Sequence, residues 1–269
     1  MSAETTLEQA LEPLRRARGQ SAVLLDVDGT LAPIVRHADD AHVPEPTRSV
    51  LIRVAHAYAV TACVSGRQAA IARRIVSIGS ISYVGNHGGE LLRAGRTEPE
   101  LEPGFARGGE RVRAFARTVW RADPQLQRLR MRSEDKGDIA AFHWRGAPDE
   151  AQAEAAAARI AQRAEAEGLA PHWGRKVLEV RPPVQVDKGA GIAWLLSGAP
   201  QVRAALYVGD DLTDLDAFRG LRALVESGGL QTAVCVGVRS DETPPELERE
   251  ADLLVDGPSG VRHLLEALL

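Results

Sequence analysis

Cysteine is almost missing from this 269-residue chain, which has two. Cys63 and Cys235 stand singly in the apolar runs VTACVSG and TAVCVGV, without the CxxC or Cys/His spacing of a metal site. They are therefore expected to be core thiols. Long apolar runs are missing as well: none approaches the ~20 residues that a spanning helix needs, so no membrane partner is expected. A basic excess is missing too. Thirty-three Lys and Arg face 37 Asp and Glu, a net charge of −4, so nucleic acid is not expected as a partner and any anionic substrate must be captured locally. The start, MSAETTLEQALEPLRRARG, is acidic and helix-patterned, without the basic head and apolar centre of a signal peptide. A cytoplasmic monomer is the expectation.

What is present is the balance of a globular protein, 44% hydrophobic and 26% charged. Apolar runs alternate with helical stretches from the start: strand AVLLDVD (22 to 28), helix TRSVLIRVAHA, strand AVTACVSG (59 to 66), helix RQAAIARRIVS and strand ISYVGNHG (81 to 88). Such alternation argues for a doubly wound parallel α/β sheet with both faces covered. The pattern then changes to helix RGGERVRAFARTVWRAD, strands LRMRSED and DIAAFHWR, helix PDEAQAEAAAARIAQRAEAEG, and strands LAPHW and KVLEVRP. Two αββ units in succession predict a four-stranded antiparallel sheet backed by helices. From Lys188 the first pattern returns, through AALYVGD, TDLDAFRGL, TAVCVGV and ADLLVDG to the closing helix GVRHLLEALL. The expected organisation is a core from residues 1–105 and 182–269, with an α+β cap inserted at 106–181.

In an open parallel sheet, ligands gather at the carboxyl ends of the strands. Here each core strand ends in something polar: Asp26 and Asp28, then Ser65-Gly66-Arg67, then Asn86-His87, then Asp210-Asp211. A carboxylate such as Asp26 can attack phosphorus, and a second such as Asp28 can protonate the leaving oxygen and then take a proton from water. Gly29 permits a turn close to the phosphate. Asp210 offers a hard oxygen to Mg²⁺, and Asp214, four residues on, can orient that ligand set. Lys188 and Ser65, each beside a helix start, can hold phosphate oxygens. Any one of these motifs alone reads equally as a helix cap or turn, and GDDLTD lacks the ladder of an EF-hand. Their ordered recurrence at strand ends is what points to a phosphate site.

DVDGT, VSGR, the lysine of DKG and GDDLTD resemble the four ordered motifs of haloacid-dehalogenase-type phosphatases, whose core is Rossmann-like. More narrowly, LLDVDGTLAPI, VSGR, GNHGGE, EDKGDIAAFHWR, KVLEVRP and GDDLTDLDAF together resemble trehalose-6-phosphate phosphatases, over roughly residues 20 to 260. The resemblance implies Asp26 as nucleophile and Asp28 as general acid/base. It implies Mg²⁺ held by Asp26, the Asp28 carbonyl and Asp210, with Asp211 and Asp214 in support. Ser65 and Lys188 would bind the phosphoryl group and Arg67 would order the site. At Leu215 the sequence departs from the family, which commonly has an acidic residue there.

The cap must select the substrate. Glu134 and Lys136, two apart, share one face of their strand, and Val177, Glu179 and Arg181 share a face opposite to Leu178 and Val180. The residues alone leave open whether Glu134, Lys136 and Glu179 are solvated charges or ligands of sugar hydroxyls. The resemblance implies that they read trehalose 6-phosphate, with the cap closing to exclude bulk water. Another sugar phosphate (glucosyl- or mannosyl-glycerate phosphate, sucrose phosphate) and a non-catalytic sugar-phosphate-binding protein are the alternatives. His87, His143 and Arg145 are expected to be structural.

Overall fold

The computed structural model describes residues 7–35, 40–184, 186–241 and 243–269. In chain order the strands are β1 (Ser21–Leu25), β2 (Val60–Val64), β3 (Ser82–Gly85), β4 (Glu90–Leu92), β5 (Glu100–Leu101) and β6 (Arg132–Asp135). They continue with β7 (Ala140–His143), β8 (Ala170–Gly174), β9 (Val177–Arg181), β10 (Ala204–Gly209), β11 (Thr232–Arg239) and β12 (Leu253–Asp256). The helices are α1 (Leu7–Arg16), α2 (Glu45–Ala57), α3 (Ala69–Val76), α4 (Pro103–Ala122) and α5 (Gln125–Arg128). After them come α6 (Glu150–Ala166), α7 (Lys188–Ser197), α8 (Asp214–Glu226), α9 (Pro245–Glu250) and α10 (Gly257–Ala267). Two compact units result, Met1–Glu100 with Val186–Leu269, and Leu101–Gln185.

The larger sheet has the order β12-β11-β10-β1-β2-β3-β4-β5. β1 lies between β10 and β2 and is parallel to both, with Leu25 opposite Val208 on one side and Cys63 on the other. This is where the strand order reverses, the place at which such sheets bind ligands. Every residue of β1 is buried, as a central strand covered on both faces requires. Its side chains alternate between two cores. Val23 and Leu25 pack with Leu11, Leu51, Val54 and Leu264 of α1, α2 and α10, whereas Ala22 and Leu24 pack with Ile192, Leu195, Phe218 and Leu221 of α7 and α8. Burying a leucine of this kind is worth roughly 1.5–3 kcal/mol. Continued one step, the alternation aims Asp26 at the α7 and α8 side.

The structure departs from the sequence reading at three places. β1 stops at Leu25 rather than running to Asp28, because Leu31 and Ala32 donate their N–H groups back to Val27 O (3.0 and 2.8 Å) and Gly29 turns the chain at φ +84°. After β3 the chain does not leave for the insert at once: β4 returns antiparallel to β3, with Val84 opposite Leu91. Lys136 lies in the turn after β6, where its N–H donates to Ile139 O (2.8 Å), rather than in a strand. Both cysteines are buried, in β2 and β11, and burial raises each thiol well above its ordinary value. Among the described residues no helix is long and apolar enough to cross a membrane.

The smaller unit is an antiparallel sheet in the order β6-β7-β9-β8. Ala140, Phe142, Leu178 and Val180 form one face and pack under Val112 and Phe115 of α4 and Ala157 and Ile160 of α6. The helix starts are capped as their sequences ask: Glu102 accepts from Phe105 N (2.6 Å) and Asp149 from Gln152 N (2.9 Å). α4 lies so close to the β6–β7 turn that a Cβ on Gly109 would fall 1.7 Å from Asp138 Oδ1.

Candidate active site

The carboxyl edge of the larger sheet gathers four acidic and basic groups from three segments. Asp26 follows β1, and its N–H donates to Val208 O (2.9 Å), which keeps it aligned with β10. Lys188, the first residue of α7, is 2% exposed and donates to Asp26 Oδ1 (2.8 Å) and Asp214 Oδ1 (2.6 Å). Asp187 caps the same helix by accepting from Ala190 N (2.7 Å), which fixes where the lysine enters. Asp214 opens α8 and accepts four bonds: from Lys188 and Tyr207 Oη (2.6 Å) on Oδ1, and from the N–H groups of Asp210 and Asp211 (2.8 and 2.9 Å) on Oδ2. It is an organiser whose oxygens are filled by the protein.

Asp210 follows β10, the neighbour of β1. Its Oδ1 accepts from Thr30 Oγ1 (3.0 Å). Gly29 packs so closely behind it that an added Cβ would fall 2.0 Å from Asp210 Oδ2. Among the described residues, no hydrogen bond reaches Asp26 Oδ2 or Asp210 Oδ2. One carboxylate oxygen from each of Asp26, Asp210 and Asp214 lies within 4.8 Å of the others.

The electrostatics follow from burying three carboxylates around one ammonium. Burial raises Asp26 well above the carboxylate range, with Asp214, Asp210 and Asp211 adding to the rise against the pull of Lys188. Asp210 is pushed up to about 7 by burial and by Asp214 and Asp211. Burial acts to lower Lys188, but Asp214 and Asp26 override it and hold the ammonium charged. One ammonium does not offset three carboxylates held this close, so ionising all of them requires further positive charge. Hard carboxylate oxygens in that state fit Mg²⁺.

Asp28 points elsewhere. Arg67 grips it through two parallel bonds of 2.7 Å, Nε to Oδ2 and Nη2 to Oδ1. Ser65 is 1% exposed, and its Oγ accepts from Arg67 N (3.1 Å). It does not cap α3, whose N-cap is Gln68. Asp211 turns back on Thr213, accepting from its N–H (2.7 Å) and hydroxyl (2.6 Å). Leu215 is buried in the core between α7 and α8.

Several residues of this edge were not singled out from sequence. Tyr207 has the alternation of β10 as its signal, since Ala205 and Tyr207 share the α7 and α8 face. Thr30 sits in the DGT stretch itself. Glu90 on β4 is 5% exposed and ties two elements together, accepting from Asn86 Nδ2 (2.7 Å) and from Ala69 N at the start of α3 (2.8 Å). Asn86 N and His87 N in turn donate to Arg67 O and Ser65 O (2.8 and 3.1 Å), so the loop after β3 clamps the loop after β2. Asn86 and His87 both adopt the left-handed region (φ +47° and +55°), a conformation held by these bonds.

On the outer face of the smaller sheet, Lys136 Nζ donates to Glu179 Oε1 (2.8 Å), and Arg181 donates to Glu179 Oε2 through Nε (3.1 Å) and Nη2 (2.6 Å). Glu134 Oε2 lies 2.8 Å from His143 Nε2, and this contact is the main cause that lowers its carboxyl. Glu134, Ala141, Glu179 and His172 form one row straight across the four strands. The two glutamates and the lysine thus share a face, together with Arg181, His143 and His172. The histidines and Arg181 are on it because strand alternation puts them there.

A model of the trehalose-phosphatase family matches residues 24–247 of this chain. The trehalose-phosphate phosphatase of Mycobacterium marinum is 34% identical over an alignment of 228 positions that covers 79% of this chain and 55% of that protein. The chain thus spans about half the length of the curated trehalose-phosphate phosphatases that it matches. Among solved structures, the C-terminal domain of the C. albicans trehalose-6-phosphate phosphatase is similar, with a TM-score of 0.75 at 22% identity, over 97% of this chain and 96% of that one. The C-terminal domain of the Candida albicans trehalose synthase regulatory protein has a TM-score of 0.73 at 14% identity, over 100% of this chain and 99% of that one. These two likenesses establish the fold alone, because a phosphatase and a regulatory protein share it.

Proposed function

The chain belongs to the trehalose-phosphatase family, and from that premise we propose that it hydrolyses trehalose 6-phosphate to trehalose and phosphate. The observation that carries the reading is the buried cluster of Asp26, Asp210 and Asp214 around Lys188. Asp26 Oδ1 is held by Lys188, which leaves Oδ2 to attack phosphorus. As the Asp26–phosphorus bond forms, the bond from phosphorus to the sugar oxygen breaks, and Asp28 gives its proton to that oxygen. Asp28 then takes a proton from the water that attacks the aspartyl-phosphate, which frees phosphate and restores Asp26. Arg67 orients Asp28 in the resting site, and Asp28 takes up its proton when one of its oxygens leaves the guanidinium.

Three raised carboxyls around a single ammonium support a cation in the site, and we assign Mg²⁺ to Asp26, the Asp28 carbonyl and Asp210, with Asp211 and Asp214 in support. When bound, Mg²⁺ neutralises charge on the phosphoryl oxygens. Lys188 and Ser65 are assigned to the same phosphoryl group, and Glu134, Lys136 and Glu179 to the sugar hydroxyls. Phosphate release from trehalose 6-phosphate by the wild type and by Asp26→Asn tests the assignment. Loss of release in the variant is expected, and retained release overturns Asp26 as the nucleophile.

A further inference from the structure

The smaller unit carries a basic cleft between α4 and the β6 edge of its sheet. α4 presents Arg113, Arg117 and Arg121 at four-residue spacing, one above another on a single helix face. Together with Trp120 and with Ser133 of β6 they line a cavity of about 160 Å³. Arg113 is already committed, donating to Gly137 O (3.0 Å) and Asp138 Oδ1 (3.2 Å). Among the described residues, no carboxylate pairs with Arg117 or Arg121. Elsewhere in the chain an arginine beside acids is ion-paired, as Arg15, Arg48, Arg222 and Arg239 are.

Two carboxylates also line the cleft, and each is turned to another partner. Glu134 is against His143, and Asp135 Oδ1 accepts from Gly137 N (2.9 Å). A structural role accounts for little of the stripe. Like charges one turn apart weaken a helix, and only Arg121, in the last turn, gains from the helix dipole. Unpaired guanidinium groups recognise phosphate oxygens, and a half-buried indole between them offers a flat apolar face. At about 160 Å³ the cavity is smaller than the roughly 300–1,000 Å³ of pockets that enclose a whole ligand, so it fits a single ring with the rest of its occupant in solvent.

We propose that this cleft is a second anion site, built for a small phosphorylated ring compound, with Arg117 and Arg121 holding its phosphate oxygens and Trp120 covering its ring. The site lies on the smaller unit, and the arginines and indole assigned to it, Arg117, Arg121 and Trp120, have no part in the reaction assigned above. Its occupant touches β6, the strand that carries Glu134.

Calorimetric titration of the full chain in EDTA tests this, with ADP as a phosphorylated ring and pyrophosphate as the same charge type without one. Saturable binding of both is expected, weakened about tenfold or more in Arg117→Gln/Arg121→Gln, where charge-assisted bonds are lost. Trp120→Leu is expected to weaken ADP and leave pyrophosphate unchanged. Both arginines are exposed, and far-ultraviolet circular dichroism checks that the variant is folded. Absence of saturable binding, or equal affinity in the double variant, overturns the site. Unchanged ADP affinity in Trp120→Leu overturns the ring contact.

Discussion

Arg67 and Asp28 are joined side by side, guanidinium to carboxylate, by two bonds of 2.7 Å between residues 39 apart in sequence. The pair links the loop after β2 to the turn after β1. Lysine keeps the charge but cannot make two parallel bonds. Under the acid/base assignment of Asp28, Arg67→Lys is therefore expected to lower kcat by about tenfold or more with little change in Tm, because the carboxyl loses its orientation while the fold is kept. Steady-state kinetics beside a thermal melt checks it, and an unchanged kcat would separate Arg67 from catalysis.

The crowding of Asp210 makes a prediction about pH and metal. Its carboxyl stands at about 7 against an ordinary 3.8, chiefly through burial. A raised folded value means that stability is full below the ordinary value and is lost as pH rises through the folded one. Metal-free protein is expected to lose stability between about pH 4 and 7, with Asp210 contributing at most ~4 kcal/mol. Asp210→Asn should make that fall shallower, since the other raised carboxyls, Asp26 and Asp214, remain. Mg²⁺ at pH 7.5 should raise the Tm of the wild type and leave that of the variant unmoved. Melts in EDTA and in Mg²⁺ across pH decide it.

Glu90 is buried with both oxygens in use. Its removal takes the carboxylate partner from Asn86 Nδ2 and from the buried Ala69 N, and a lost buried bond of this kind costs about 1–3 kcal/mol. Glu90→Ala is expected to lower stability by about 2–5 kcal/mol in urea denaturation. It should also loosen the Ser65–Arg67 loop, so that kcat falls in protein that remains folded. A variant with lost stability but native kcat would make the clamp purely structural.

Glu179 holds Lys136 on one oxygen and Arg181 on the other. Under the sugar-reading assignment, Glu179→Gln should raise KM for trehalose 6-phosphate about tenfold or more and change kcat less, because an uncharged amide no longer orders either cation. Equal changes in KM and kcat would argue against a role confined to the sugar.

The path from sequence to site was open where geometry is local and closed where it is not. The DxD turn, VSGR, Lys188 and GDDLTD were legible together, because they recur in order at strand ends and helix starts, although each alone reads equally as a cap or turn. The sharing of one sheet face by Glu134 and Glu179 followed from the two-residue period. The order in which the strands lie was not written in any single segment. That Asp26 meets Asp214 through Lys188 depends on β1 pairing with β10, far along the chain (Ser21 opposite Ala204), and on α7 and α8 covering the same face. Glu90 was missed for a similar reason: β4 is three residues long, and its ELL carries no period of its own. Arg67 was legible as a candidate, but its grip on Asp28 was not, since a turn that ends β1 at Leu25 rather than Asp28 was needed to aim the carboxylate sideways.

The central claim is that this carboxylate edge hydrolyses trehalose 6-phosphate with Mg²⁺. Its most direct test is phosphate release from trehalose 6-phosphate, with Mg²⁺ and with EDTA, beside glucose 6-phosphate under the same conditions. Rapid release that requires Mg²⁺ and strongly favours the disaccharide is expected. Equal release from both sugars, or release undiminished in EDTA, would contradict it.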